Sequence, residues 1–187
     1  FTRHDGKVLV TTRSDRVPAN YYVIDRKNGN KIAQVGSRRP WFEGKALASM
    51  RPIEFKTRDG QVLYGFFTAP IGAKGPVPTV VMPHGGPFGP ADTWGFEDDV
   101  QFLANRGYGV LQVNYRGSGG RGDRFINASY KQWGGMIQND ITDALKYAID
   151  AKLADPNRVC MYGASFGGYS ALMQPILNPG MYKCAIG

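Results

Sequence analysis

Two rhythms of hydrophobic and polar positions run through this chain, and one gives way to the other after residue 67. Up to there, short apolar runs with strand character alternate with turn residues. Lys7-Val8-Leu9-Val10-Thr11-Thr12 follows Asp5-Gly6, and Tyr21-Tyr22-Val23-Ile24-Asp25 and Lys31-Ile32-Ala33-Gln34-Val35 flank Asn28-Gly29. Asn-Gly accepts the positive φ that a tight hairpin requires, so those two runs pair. Another pair, Pro52 to Thr57 and Val62 to Phe67, flanks Asp59-Gly60. Beyond it, short strands alternate with stripes at helical spacing. Thr79-Val80-Val81-Met82 is a buried strand stopped by Gly85-Gly86-Pro87, and Phe96, Val100, Leu103 and Ala104 mark a helix capped by Gly107. Val110 to Tyr115 is the next strand, and Ile137, Ile141, Ala144, Leu145, Ala148 and Ile149 form an apolar helical stripe. Arg158 to Tyr162 is a strand, Gly168 to Met173 a helix that ends or kinks near Pro175, and Met181 to Gly187 a last strand.

Strand–helix alternation predicts an α/β fold with a mainly parallel sheet and functional residues at the carboxyl ends of its strands. The strands of residues 1–46 bury too little to stand alone and read as the end of a larger β-domain, with a junction between Gly44 and Arg51. The expected division is therefore 1–46 and 47–187.

Composition narrows the classes only a little. Hydrophobic residues at 42% and charged residues at 20% are ordinary globular values. No apolar run reaches the length of a membrane span, so no membrane partner is expected. The net charge of +8 is scattered rather than gathered into a stripe, which reads as a solvated basic surface and not a nucleic-acid footprint. Without an initiator Met the compartment stays open, as does the oligomeric state. Cys160 and Cys184 lie in apolar runs and read as small buried thiols; the absence of partner histidines at metal spacing argues against a metal site.

The chemistry gathers at Gly163-Ala164-Ser165-Phe166-Gly167, between a strand and a helix. Glycines two residues either side of Ser165 let a strand turn sharply into a helix with the hydroxyl at the apex. Ser165 is the candidate nucleophile, and the Phe166 amide, at the helix start, is the candidate oxyanion donor. A second donor is expected from the loop His84-Gly85-Gly86-Pro87, whose consecutive glycines let the backbone approach the substrate carbonyl. His84 is not expected to be the general base, because enzymes with this elbow place their histidine after the nucleophile and the acid. The 22 residues after Ser165 contain no Asp, Glu or His, so the base and acid are expected to lie outside this chain, which would then be a fragment with no normal turnover alone.

A rival signal is Gly117-Ser118-Gly119-Gly120-Arg121-Gly122, a G-x-G-x-x-G pattern after a strand, with Asp140 and Asp143 near the distance of a ribose-binding acid. A dinucleotide-binding module using Gly117, Gly119 and Gly122 is thus an alternative. Against it, no immediate apolar helix follows, and the motif is not on the first strand of the α/β unit. Asp140 and Asp143 also have a simpler place, at a helix start where acids favour the dipole.

Four stretches in order carry a resemblance: His84-Gly85-Gly86-Pro87, Asn114-Tyr115-Arg116-Gly117-Ser118-Gly119-Gly120, Trp133-Gly134-Gly135 with Asp140 and Asp143, and Gly163 to Tyr169. Together they resemble the prolyl oligopeptidase family of serine peptidases, in its acylaminoacyl-peptidase and dipeptidyl-peptidase-like branch. The resemblance implies an α/β-hydrolase fold, truncated here, preceded by a remnant of the last blade of a β-propeller. It implies a serine peptidase acting on short peptides through an acyl-enzyme on Ser165, with Phe166 and Gly86 as oxyanion donors and no cofactor or metal. His84 occupies the position where some relatives carry a tyrosine whose hydroxyl is the second donor. A carboxylesterase of the same fold is the alternative that shares the elbow.

Overall fold

The computed structural model describes all residues except Phe1 and Asp5, and for Thr2 to His4 the backbone alone. The expected turn at Asp5-Gly6 lies partly outside the described residues. Strands β1 (Thr2–His4), β2 (Lys7–Thr12), β3 (Asn20–Asp25) and β4 (Lys31–Ser37) form an antiparallel sheet in sequential order. The Asn28-Gly29 turn closes the β3–β4 hairpin, with Gly29 at φ 62° and the Lys31 amide bonded to the Asn28 carbonyl. This up-and-down four-stranded sheet has the architecture of a propeller blade.

The second sheet carries the fold. Its strands are β5 (Met50–Lys56), β6 (Val62–Thr68), β7 (Val77–Val81), β8 (Gly109–Asn114), β9 (Ala154–Tyr162) and β10 (Cys184–Ile186), in the order β10-β9-β7-β8-β6-β5. Pairings from β10 across to β8 are parallel; those joining β8, β6 and β5 are antiparallel. Four helices accompany them among the described residues: α1 (Asp98–Asn105), α2 (Asp123–Asn127), α3 (Met136–Asp150) and α4 (Phe166–Leu177). One sheet face, with Leu63, Phe67, Val81, Leu111, Val113 and Met161, packs against Ile137, Ile141 and Leu145 of α3. These side chains are almost wholly buried, and each contributes about 1.5–3 kcal/mol by leaving water. The arrangement is the mainly parallel α/β sheet expected from the strand–helix rhythm.

Two buried side chains fasten the sheets together. The Asp15 carboxylate, in the β2–β3 loop, accepts the Met50 amide at 2.8 Å, and Gln101 of α1 donates to the Asp15 and Ala48 carbonyls while accepting the Ala48 amide. Arg39 adds a bidentate pair with Asp98.

Several expectations need correction. Helix α1 starts at Asp98, and Phe96 lies before it, packed on Phe42 at 5.5 Å. Gly107 does cap it, at φ 89° with its amide on the Ala104 carbonyl. Helix α4 passes through Pro175 and ends at Leu177, because a proline in the last turn removes few helical bonds. The last strand is only Cys184–Ile186; Tyr182 is turned inward, its hydroxyl donating to Gln174 at 2.9 Å.

The cysteines are not separate buried thiols. Parallel register sets Cys160 of β9 opposite Cys184 of β10, their Cα atoms 4.7 Å apart, and they form a disulfide. The sulfurs meet only because β9 and β10 are neighbours, which spacing along the chain does not reveal.

Candidate active site

Ser165 stands between the end of β9 and the first residue of α4, with φ 57° and ψ −126°, and is exposed. A side chain in that left-handed region is costly and persists only where its surroundings dictate it. Here the two flanking glycines do so. A Cβ on Gly163 would stand 2.5 Å from the Gly167 backbone, and one on Gly167 would overlap the Pro83 carbonyl oxygen. The elbow is therefore wedged against the end of β7 with no room for a methyl group. Phe166, next in sequence, buries its ring between Tyr115, Trp133 and Tyr169 at centroid distances of 5.5–5.7 Å, which pins the first turn of α4. The first amides of a helix have no intrahelical acceptor, so the Phe166 N–H is available beside the Ser165 hydroxyl.

The loop after β7 lies directly against this turn. A Cβ on Gly85 would stand 3.4 Å from the Ser165 Cβ and 3.8 Å from its Oγ, and Gly86 has φ 134°. The His84 ring holds the loop in place. Its Nδ1 is 2.7 Å from the Gly85 carbonyl oxygen, which can only accept, so the proton sits on Nδ1 and Nε2 is left as an acceptor. The Ser118 hydroxyl then donates to Nε2 at 2.8 Å. Tyr115, stacked on the imidazole at 4.3 Å, donates its hydroxyl to the His84 carbonyl at 2.8 Å. Burial lowers the His84 pKa, opposed by the Gly85 carbonyl bond, so the ring is neutral near pH 7. Because a peptide unit is planar with C=O and N–H antiparallel, fixing the Gly85 carbonyl also fixes the direction of the Gly86 N–H. Both ring nitrogens are taken, by the Gly85 carbonyl and the Ser118 hydroxyl, and neither is bonded to Ser165.

The loop after β8 supports this arrangement, and Arg116 anchors it. Its guanidinium grips the fully buried Asp140 of α3 at 2.6 and 2.7 Å and Asp59 of the β5–β6 turn at 2.9 and 3.1 Å; the Arg116 amide also bonds Asp140. Burial pushes the Asp140 carboxyl up and the Arg116 donors pull it back, while Asp59, bonded to Arg116 and Thr57, is held well below the usual carboxylate range. Arg58 grips Asp143 in the same way at 2.7 Å. Asp140 and Asp143 are thus ion-pair partners beyond the first turn of α3, not acids placed for its dipole, and neither is free for a ribose.

Gly117 and Gly119 of the G-x-G-x-x-G stretch are taken up by packing between loops, whereas a Cβ on Gly122 would meet open space. The Gly89 amide bonds the Gly117 carbonyl, the Gly119 amide bonds the Pro90 carbonyl, and a Cβ on Gly119 would overlap the Gly89 carbonyl oxygen. A helix does follow, the short α2 with Gly122 as its N-cap, which the polar sequence around Asp123-Arg124 did not suggest. Sequence reasoning placed Ser165, Phe166 and Gly86 together but missed the support given by His84, Tyr115, Ser118 and Arg116. The only signal for it was their presence in the two motif stretches.

An exposed serine at a glycine-flanked strand–helix turn, with a glycine loop against it, is the elbow geometry of the α/β-hydrolase fold. The particular lineage comes from comparison with known proteins. The pattern of the prolyl oligopeptidase family matches residues 94–187, and the chain belongs to that family of peptidases. It is 35% identical to dipeptidyl aminopeptidase BIII of Pseudoxanthomonas mexicana over 99% of this chain and 28% of that protein. It is 32% identical to dipeptidyl peptidase family member 6 of Caenorhabditis elegans, over 95% of this chain and 27% of that protein. Among solved structures, an acylaminoacyl peptidase in complex with Z-Gly-Gly-Phe-chloromethyl ketone superposes with a TM-score of 0.76 at 25% identity, covering 96% of this chain and 29% of that one. A puromycin-hydrolyzing peptidase of Mycobacterium tuberculosis gives 0.79 at 25% identity over 97% and 28%. The chain therefore spans a little over a quarter of the length of these relatives. No helix among the described residues is long and apolar enough to cross a membrane.

Proposed function

We propose that the intact protein carrying this chain is a serine peptidase that cleaves short peptides through an acyl-enzyme on Ser165. The Ser165 hydroxyl attacks the scissile carbonyl carbon, and the electron pair of the C=O bond moves to oxygen. A base outside this chain takes the Ser165 hydroxyl proton, the Phe166 and Gly86 amides receive the oxyanion, and collapse expels the amine, which the same base protonates, leaving the acyl group on Oγ until water removes it. The observation that carries this reading is the Gly85-Gly86 loop seated against Ser165, its peptide plane set by the His84 bond to the Gly85 carbonyl. His84 cannot take the Ser165 proton while its nitrogens serve Gly85 and Ser118. The base and its orienting acid are therefore assigned to the protein outside this chain. Residues 1–46 are read as the last blade of a propeller that restricts entry, and 47–187 as the first part of the peptidase domain. The names of the relatives support short peptides as substrates.

The test compares intact wild type with Ser165→Ala on peptide amides and on p-nitrophenyl esters. Peptide cleavage that disappears in the variant is the expected result. Ester turnover without peptide cleavage would replace the reading with the esterase one, and peptide cleavage unchanged in Ser165→Ala would refute it.

A further inference from the structure

Three buried side-chain polar atoms among the described residues have no hydrogen-bond partner: Thr68 Oγ1, Asp92 Oδ2 and Gln112 Oε1. They lie on one side of the second sheet. Thr68 of β6 pairs with Val110 of β8, and Gln112 lies two residues further along that strand, so Thr68 and Gln112 are diagonal neighbours on one face. Asp92, in the loop between β7 and α1, faces the Gln112 side chain. Its backbone is fastened over the end of β8: its amide donates to Asn114 Oδ1 at 2.8 Å and its carbonyl accepts Asn114 Nδ2 at 3.0 Å.

An ionised carboxylate only accepts, whereas a primary amide offers one donating nitrogen and one accepting oxygen. Whichever way the amide is turned, a carboxylate paired with it leaves an acceptor without a donor. A proton on the carboxyl removes the mismatch, because Oδ2–H then donates to Oε1 while Nε2–H donates to the other carboxyl oxygen. We infer that Asp92 is a positioning residue carried as a neutral carboxylic acid in an acid–amide pair with Gln112, a proton-operated latch that holds the loop after the Gly85-Gly86 turn on the end of β8. What the latch positions is Tyr115, directly after the clamped Asn114, whose hydroxyl holds the His84 carbonyl. The inference thus rests on the proposed function for its kinetic consequence, though not for its effect on stability.

Burial moves the Asp92 carboxyl from 3.8 up to about 7, opposed by the Gln112 side chain and assisted by the charge of Glu97, the acid facing it from the same loop. From just after β8 it is faced by Tyr115, whose own ionisation is pushed up by burial and, to a lesser extent, by the Asp92 charge. The folded state therefore binds a proton that the unfolded chain releases at lower pH. This contribution to stability is complete below 3.8, is lost as pH rises toward about 7, and is level above it.

The experiment compares the intact wild type with Asp92→Asn, whose amide makes both bonds to Gln112 without a titratable proton. Between about pH 4 and pH 8 the wild-type Tm is expected to fall by at least about 3 °C relative to the variant. The wild-type kcat is expected to drop above about pH 7 with KM unchanged, and Asp92→Asn to remove that limb of the profile. Parallel Tm curves for the two proteins would overturn the inference. Should the variant not fold, infrared spectra of 13C-aspartate-labelled wild type serve instead. A protonated-carboxyl band present at about pH 6 and gone by about pH 8 supports the latch, and its absence at about pH 6 overturns it. If Ser165 proves not to be the nucleophile, the Tm comparison still decides the matter, so the two ideas fail separately.

Discussion

The elbow at Ser165 and the loop at His84 meet across a few ångströms, yet they are held by opposite means. The elbow is fixed by what is missing: at Gly163 and Gly167 any side chain would strike backbone. The loop is fixed by what is present, a chain of hydrogen bonds from Ser118 through the His84 imidazole to the Gly85 carbonyl, with the Tyr115 hydroxyl on the His84 carbonyl. Steric fixation costs little to maintain and cannot be tuned by pH. Hydrogen-bonded fixation depends on protonation and tautomer, and on a second loop that must itself be held. The contrast places the adjustable part of the site in the Gly85-Gly86 loop and the invariant part under Ser165.

The largest effect is expected from breaking the steric side. Gly167→Val puts branched carbon against the Pro83 carbonyl, which belongs to backbone and has nowhere to go. Loss of folding, or at least about 4 kcal/mol in denaturant unfolding, is expected, with no reaction at Ser165. A variant that folds and reacts normally would show that the elbow is looser than its packing implies. Next comes the anchor of the hydrogen-bonded side. Arg116→Met leaves the buried Asp140 carboxylate without its partner and is expected to cost about 3–5 kcal/mol. Replacing both with apolar residues, in Arg116→Met/Asp140→Leu, is expected to recover part of that loss, since the uncompensated charge is gone.

His84→Leu is expected to lower kcat by about 10²–10³ with little change in KM, the size of losing one oxyanion donor. His84→Asn, whose amide nitrogen reaches the place of Nδ1, is expected to recover part of it. Equal losses in the two variants would mean that the ring acts by bulk and not through the Gly85 carbonyl. The smallest effect lies below the elbow. The Cys160–Cys184 disulfide ties β9, the strand that delivers Ser165, to β10. Cys160→Ser is expected to cost about 2–4 kcal/mol while leaving the wild-type kcat intact, because the glycine packing and not the disulfide sets the turn. A fall in kcat parallel to the fall in stability would show that the disulfide, and not the glycine packing alone, sets the turn.

The same contrast explains what could be seen in the sequence. Steric requirements are written as glycines at fixed offsets from Ser165, and the strand and helix on either side are written as apolar periodicity, so elbow and sheet were legible. The role of His84 was not, because it depends on Ser118 and Tyr115, more than thirty residues away, meeting the ring through the β7–β8 pairing. Asp140 and Asp143 were misplaced for a related reason: their partners Arg116 and Arg58 come from other elements, and helical position alone suggested the dipole. The disulfide was hidden in the same way, since only the β9–β10 register brings its cysteines together. Short-range geometry is readable from the chain, and contacts made across the sheet are not.

The central claim is that Ser165 is the residue that reacts. Intact protein treated with a fluorophosphonate, digested and mapped by mass spectrometry tests this most directly. A single adduct on the peptide containing Gly163-Ala164-Ser165-Phe166-Gly167, absent in Ser165→Ala, is the predicted result. Labelling elsewhere in the protein, or labelling that persists in Ser165→Ala, would contradict it.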